Sequence, residues 1–146
     1  MVGRYDRTDK RPGKLTRRRQ LSHEERKQIY ERMDRRCAYC GQRLEYEDMH
    51  VDHVKPLAKG GPDIIPNMVC SCEYCNRYKG SRDVESFRRA IYRSIGALER
   101  DSLAYKNSIK YGLIRRTHAP VVFYFERKER RCKYKWKRKK SHWPKY

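Results

Sequence analysis

The apolar positions of this chain fall into short periodic runs separated by charge, glycine and proline. Ser22 and Glu25 stand at capping-box spacing and open a predicted helix to about Arg35, with Ile29, Tyr30 and Met33 on one face. Residues 49–54 read as a short strand stopped by Pro56. A loop over 57–66, rich in Gly and Pro, leads to a second short strand over 68–70. A helix is then expected from about Cys72 to Lys79, ended by Gly80. Strand, loop, strand and helix in that order make a compact ββα unit. Beyond it, Val84, Phe87, Ile91, Ile95 and Leu98 recur at spacings of 3, 4, 4 and 3, which predicts an amphipathic helix. Another short helix is expected to end at Gly112. The run 121–125, made of Val, Phe and Tyr, predicts a final strand.

Composition adds a constraint. Hydrophobic residues make up 37% and charged residues 38% of the 146, a lean apolar supply for the core of one small domain. Cores of this kind are usually stapled by a metal or a disulfide. The formal net charge of +20 is unevenly spread. Residues 1–20 hold eight Lys/Arg against two Asp, and residues 127–146 hold eleven against one Glu, which leaves +4 on the 106 between. The organisation expected is therefore a basic flexible arm over 1–20, a globular domain over 21–126 and a low-complexity basic tail over 127–146. Polycationic ends suit the phosphate backbone of a nucleic acid. Mere solubilisation and attraction to an anionic membrane surface are the alternatives. In the tail, aromatics interleave with cations over 133–140 and at Trp143, a pattern for base stacking or for a segment with no specific partner.

No apolar stretch approaches the length of a membrane span. No apolar segment follows the basic N-terminal residues as it would in a secretory signal. The expected compartment is the reducing cytoplasm, where Cys-x-x-Cys pairs hold metal more often than they form disulfides. There are two such pairs among the six cysteines, Cys37 with Cys40 and Cys72 with Cys75, separated by 31 residues. Four thiolates from two tight turns suit a closed tetrahedral zinc, with the intervening residues as a folded insert. A pair of reduced or redox-active dithiols is the other reading. Cys70 is expected to be a small buried side chain, and Cys132 is given no role.

Between the cysteine pairs lie Asp52-His53, Pro56, Gly60-Gly61 and Asn67, and Asn76 follows Cys75 with Lys79-Gly80 behind it. In that order and spacing, residues 49–80 resemble an HNH endonuclease, also called a ββα-metal or His-Me finger nuclease. With the Cys37 pair the resemblance covers roughly 36–82. The fold class it implies is small α+β, a ββα-metal core stapled by a four-cysteine zinc site, with flanking helices and basic terminal arms.

The resemblance also implies roles. His53 would be the general base that takes a proton from water. Asp52 and Asn76 would bind the catalytic divalent cation, Mg²⁺ or Mn²⁺, through hard oxygens. Asn67 would hold the loop that aims His53. The zinc at Cys37, Cys40, Cys72 and Cys75 would be structural. The substrate implied is DNA, with RNA left open, cut to 5′-phosphate and 3′-hydroxyl ends in a phage, mobile-element or restriction setting. Lys55, Lys59, Arg77, Lys79 and Arg82 flank the site, as phosphate contacts or as an ordinary solvated face. His50 is read as a strand residue, and His23, His118 and His142 are given no function. Oligomeric state is left open. The rival reading is a non-catalytic zinc-knuckle protein that binds nucleic acid through charge, which would need the cysteines but not Asp52, His53 and Asn76 together.

Overall fold

The structure is a computed structural model that describes residues 19–117 and 119–131. The expected N-terminal arm up to residue 18, His118, Cys132, and the tail from 132 with its aromatics and His142 lie outside the described residues.

The described residues form five α-helices and one two-stranded sheet. Helix α1 spans His23–Arg32, and the Ser22–Glu25 capping box is formed in both directions. It stops short of the expected Arg35 because Asp34 and Arg35 take left-handed φ of 54° and 58°. Asp34 is held there by the Tyr124 hydroxyl at 2.8 Å and the Lys128 ammonium at 2.8 Å. The chain then closes the first cysteine turn with a bridge between Arg36 and Arg43.

Strand β1 (His50–His53) pairs antiparallel with β2 (Met68–Ser71), in a register that sets His53 opposite Met68. The Val54 N–H continues the ladder to Asn67 O at 2.8 Å. Strand β2 is buried throughout, with α1 packed on it. Helix α2 (Glu73–Lys79) packs on β1, and Cys72 is its N-cap. Helix α3 (Val84–Asp101) is capped by Asp83, and α4 (Leu103–Lys110) follows directly. The first half of α3 is anchored, with Phe87 buried and Ile91 packed against the core. Ile95 and Leu98, further along the same face, are exposed. No helix of the described residues is long and apolar enough to cross a membrane.

The strand expected over 121–125 is not formed. Residues 121–123 belong to no strand or helix, and residues 124–131 are helical, here α5. Two interactions override the β propensity of the run. The Glu126 carboxylate accepts the Phe123 N–H at 2.9 Å, as an N-terminal cap. The next two N–H groups, of Tyr124 and Phe125, donate to Tyr39 O at 3.1 Å and Ala38 O at 2.9 Å. The start of α5 therefore binds the carbonyls of the first cysteine turn, satisfying donors that a helix cannot satisfy internally. The basic segment expected from 127 begins inside this helix.

Aromatic rings fasten α3 and α5 to that turn. Phe87 and Phe123 stack at 5.2 Å, and Tyr39 meets each edge-on at 5.5 Å. Arg88 lies over the Phe123 ring at 4.8 Å and pairs with Glu126 at 2.5 Å. Since Phe123 is only 3% exposed, Phe123→Ala is expected to cost about 3–5 kcal/mol of stability. Urea denaturation followed by circular dichroism measures it, and a loss below about 1 kcal/mol would mean the stack is not a core element.

Candidate active site and metal cluster

The turn at 37–41 and the first turn of α2 bring the Sγ atoms of Cys37, Cys40, Cys72 and Cys75 within 4.8 Å of one another. Thiolates around a tetrahedral ion with bonds of about 2.3 Å sit roughly 3.8 Å apart. The Cys40–Cys72 separation of 4.0 Å is close to that figure. This cluster can hold a metal ion. Local bonds fix the shape: the Gly41 N–H donates to Cys37 O at 2.9 Å with a left-handed φ of 82°, and the Cys75 N–H points at Cys72 Sγ at 3.4 Å. The Cys37 thiol is drawn down to about 4, chiefly because the Cys75 thiol donates to it. Cys75 is pushed up by the same bond, and Cys40 is pushed up to about 11 by burial. Full ionisation of the cluster therefore needs a cation in its centre, and protons compete with that cation. Cys70 stands apart. It donates to Arg36 O at 2.9 Å, and burial raises it to about 12.

Strand alternation sends the neighbours Asp52 and His53 to different partners. Asp52 Oδ2 accepts the Tyr39 hydroxyl at 2.5 Å and the Lys79 ammonium at 2.9 Å. Lys79 is fully enclosed and also donates to His53 O at 2.8 Å. Burial first, and the Asp52 charge second, hold the Tyr39 phenol well above its ordinary range, so it stays a neutral donor. Asp52 Oδ1 lies outside both contacts. Asn76, one turn into α2, is half-buried. A carboxylate oxygen and an amide oxygen are donors of the hardness that Mg²⁺ or Mn²⁺ takes, so the chemistry of the pair fits such an ion.

His53 is 8% exposed, and its Nε2 lies 2.8 Å from Asp63 Oδ1. The other oxygen of Asp63 accepts the Arg19 N–H at 2.8 Å. Those two bonds, the Arg19 amide first, hold the Asp63 carboxyl below the usual carboxylate range. The hydrogen bonds of the Asn67 side chain go to the loop and not to the imidazole. Its Nδ2 donates to Lys55 O at 2.9 Å and Pro62 O at 2.8 Å, and its Oδ1 accepts the Lys55 N–H at 3.0 Å. It thus clamps the two ends of the loop 55–62. The loop closes tightly: a Cβ on Gly61 would fall 2.0 Å from Lys55 O. His53, Asp63, His50, Arg19, Arg26 and Glu47 line one cavity of about 380 Å³.

Of the basic residues expected on the flanks, Lys55, Lys59, Arg77 and Arg82 are exposed. Lys59 pairs with Asp83, Arg77 with Glu73 at 3.2 Å, and Arg82 donates to Tyr78 O at 2.9 Å. Lys79 is a correction. Its ammonium is consumed inside the protein by Asp52 and the His53 carbonyl, so it cannot be a surface contact for phosphate. Sequence reading also passed over Asp63 and Tyr39. The available signals were a carboxylate just after the Gly-Gly-Pro turn and a tyrosine between two metal-type cysteines.

Residues 37–82 match the family model described as HNH endonuclease. Over 57 residues, 38% of this chain, it is 35% identical to the CRISPR-associated endonuclease Cas9 of Corynebacterium diphtheriae, of which the match covers 5%. A solved structure, the Type II-C Cas9 enzyme from Actinomyces naeslundii, is similar at 26% identity and a TM-score of 0.41, covering 66% of this chain and 12% of that one. The chain thus corresponds to a small part of each relative.

Lys79→Met would leave Asp52 buried beside an uncompensated site. The expected loss is about 3–5 kcal/mol, partly recovered in the Lys79→Met/Asp52→Asn double variant. A double-variant cycle in urea measures it, and additive losses would contradict the pairing. Cys72→Ser is expected to abolish retention of the metal ion and to lower the melting temperature. Mass spectrometry of the native protein and circular dichroism read the two effects, and an unchanged metal content would refute the cluster.

Proposed function

We propose, on the premise that residues 37–82 are an HNH endonuclease domain, that this protein hydrolyses phosphodiester bonds in DNA. RNA is the alternative substrate. The observation that carries the reading is the imidazole of His53, set into the wall of a cavity shared with Arg19, Arg26 and His50. Cationic side chains there meet the phosphate, and the imidazole meets the attacking water.

In this reading His53 accepts a proton from water as the water oxygen bonds to phosphorus. The bond from phosphorus to the 3′ oxygen then breaks, and the leaving oxygen takes a proton from solvent, giving 5′-phosphate and 3′-hydroxyl ends. Asp52 and Asn76 would hold Mg²⁺ or Mn²⁺, whose contribution when bound is to stabilise charge on the phosphoryl oxygens and the leaving group. Lys79 fixes Asp52 and the backbone of His53 relative to each other through one ammonium. Asn67 secures the loop that faces the imidazole. Cys37, Cys40, Cys72 and Cys75 would hold zinc as a structural ion, with all four positions filled and no part in the chemistry. Lys55, Lys59, Arg77 and Arg82 supply exposed charge around the site for the backbone of the substrate.

The test uses supercoiled plasmid with the full chain plus Mg²⁺ or Mn²⁺, with EDTA, and with His53→Ala. Nicked or linear product is expected only with a divalent ion, and the variant should be slower by about 10²–10⁴-fold. Retarded but uncut plasmid under every ion would instead establish the non-catalytic zinc-knuckle reading.

A further inference from the structure

The ring of His53 makes its side-chain hydrogen bond to a residue with no role in the reading above. Its Nε2 lies 2.8 Å from Asp63 Oδ1. We infer that Asp63 is the positioning residue of the catalytic histidine: it fixes the tautomer that carries hydrogen on Nε2 and leaves Nδ1 free to take the proton from water. This rests on the assignment of His53 as general base.

The directions of the bonds support the assignment. An ionised carboxylate only accepts, so whatever faces Asp63 must donate. The Arg19 backbone N–H does so at Oδ2, at 2.8 Å. A His53 that serves as general base is neutral, and facing Oδ1 it donates from Nε2, which places its one hydrogen on Nε2 and its lone pair on Nδ1. The ring is also held in place, because the side chain of His53 is 10% exposed and that of Asp63 27%.

The same geometry explains how Asn67 acts at a distance. Its amide ties Lys55 to Pro62, and Pro62 is the residue before Asp63. Gly61 allows the loop to close on the carbonyl of Lys55. Asn67 therefore aims His53 through Asp63, so the two residues form one device.

Asp63→Asn is the decisive variant. The Arg19 N–H is a fixed donor, so the new carboxamide turns its oxygen toward Arg19 and its NH₂ toward His53. Nε2 must then accept, and the hydrogen moves to Nδ1, the atom that has to be free. Size and loop contacts are preserved. In ¹⁵N-histidine spectra followed across a pH series, the neutral His53 ring should show the Nε2–H tautomer in the native chain and the Nδ1–H tautomer in the variant. Plasmid cleavage should lose about 10²–10⁴-fold in kcat, with KM changed less than about threefold. The Asn67→Ala/Asp63→Asn double variant should be no slower than the worse single variant.

An Nε2–H tautomer retained in Asp63→Asn, or kcat within about threefold of the native value while His53→Ala is inactive, would overturn the role of Asp63 and leave the base intact. Full activity of His53→Ala would instead sink the reading of His53 itself. Should Asp63→Asn unfold, Asp63→Glu gives the second measurement: the native tautomer with partial kcat supports the assignment, and the native tautomer with full loss contradicts it.

Discussion

One enclosed ammonium group ties the structure together. Lys79 comes from the last turn of α2, yet its charge is spent on Asp52 and on the carbonyl of His53, both in β1. Removing an ion from water costs several kcal/mol, and only close, well-directed partners recover it. Those partners are found here, with Tyr39 donating to the same carboxylate from between the first two cysteines. Three segments far apart in sequence thus share one electrostatic centre. Helix, strand and cysteine turn cannot shift independently without stranding a buried charge.

Around that centre the functional groups are segregated by face. The sulfurs gather where the 37–41 turn meets the head of α2. Asp52 looks toward Tyr39 and Lys79, and His53 looks the other way into a polar cavity. Alternation along a four-residue strand is enough to make this division. Carboxylate and imidazole are thereby held one residue apart without pairing with each other, and each is oriented by a separate neighbour. Rigidity on both sides comes from main-chain and buried polar bonds, the kind of support that keeps reacting groups aligned.

Much of this was legible in the chain. The cysteine spacing announces the cluster that the fold assembles, and the order of the Asp-His pair and the two asparagines carries the resemblance that the family match over 37–82 bears out. The ββα elements follow from short-range signals: a capping box, a proline stop, a terminal glycine. What was not legible depends on long-range contacts. The burial of Lys79 reverses the usual position of a lysine and is decided only by Asp52 coming close. The run Val-Val-Phe-Tyr-Phe satisfies a strand pattern, but its rings stack on Phe87 and Tyr39 and its N–H groups find the carbonyls of the cysteine turn. Propensity gave way to tertiary partners there. Asp63 was missed for a related reason: nothing in a Gly-Gly-Pro-Asp turn says which side chain the carboxylate will meet.

The helix at 124–131 has a consequence for where the autonomous unit ends. The matched segment stops at residue 82, but Tyr39, inside it, is sealed by rings from residues 87 and 123 and its carbonyl is bonded by residue 124. The inherited module and the thermodynamic module are therefore not the same stretch of chain. A peptide excised at the boundaries of the match would keep the four clustered cysteines, Asp52, His53 and Asn76, lose Arg19 and Arg26 from the cavity, and expose the apolar flank of its own cysteine turn to water. Transplanting this centre into another protein would require carrying the downstream helices along as its roof, or building a new one.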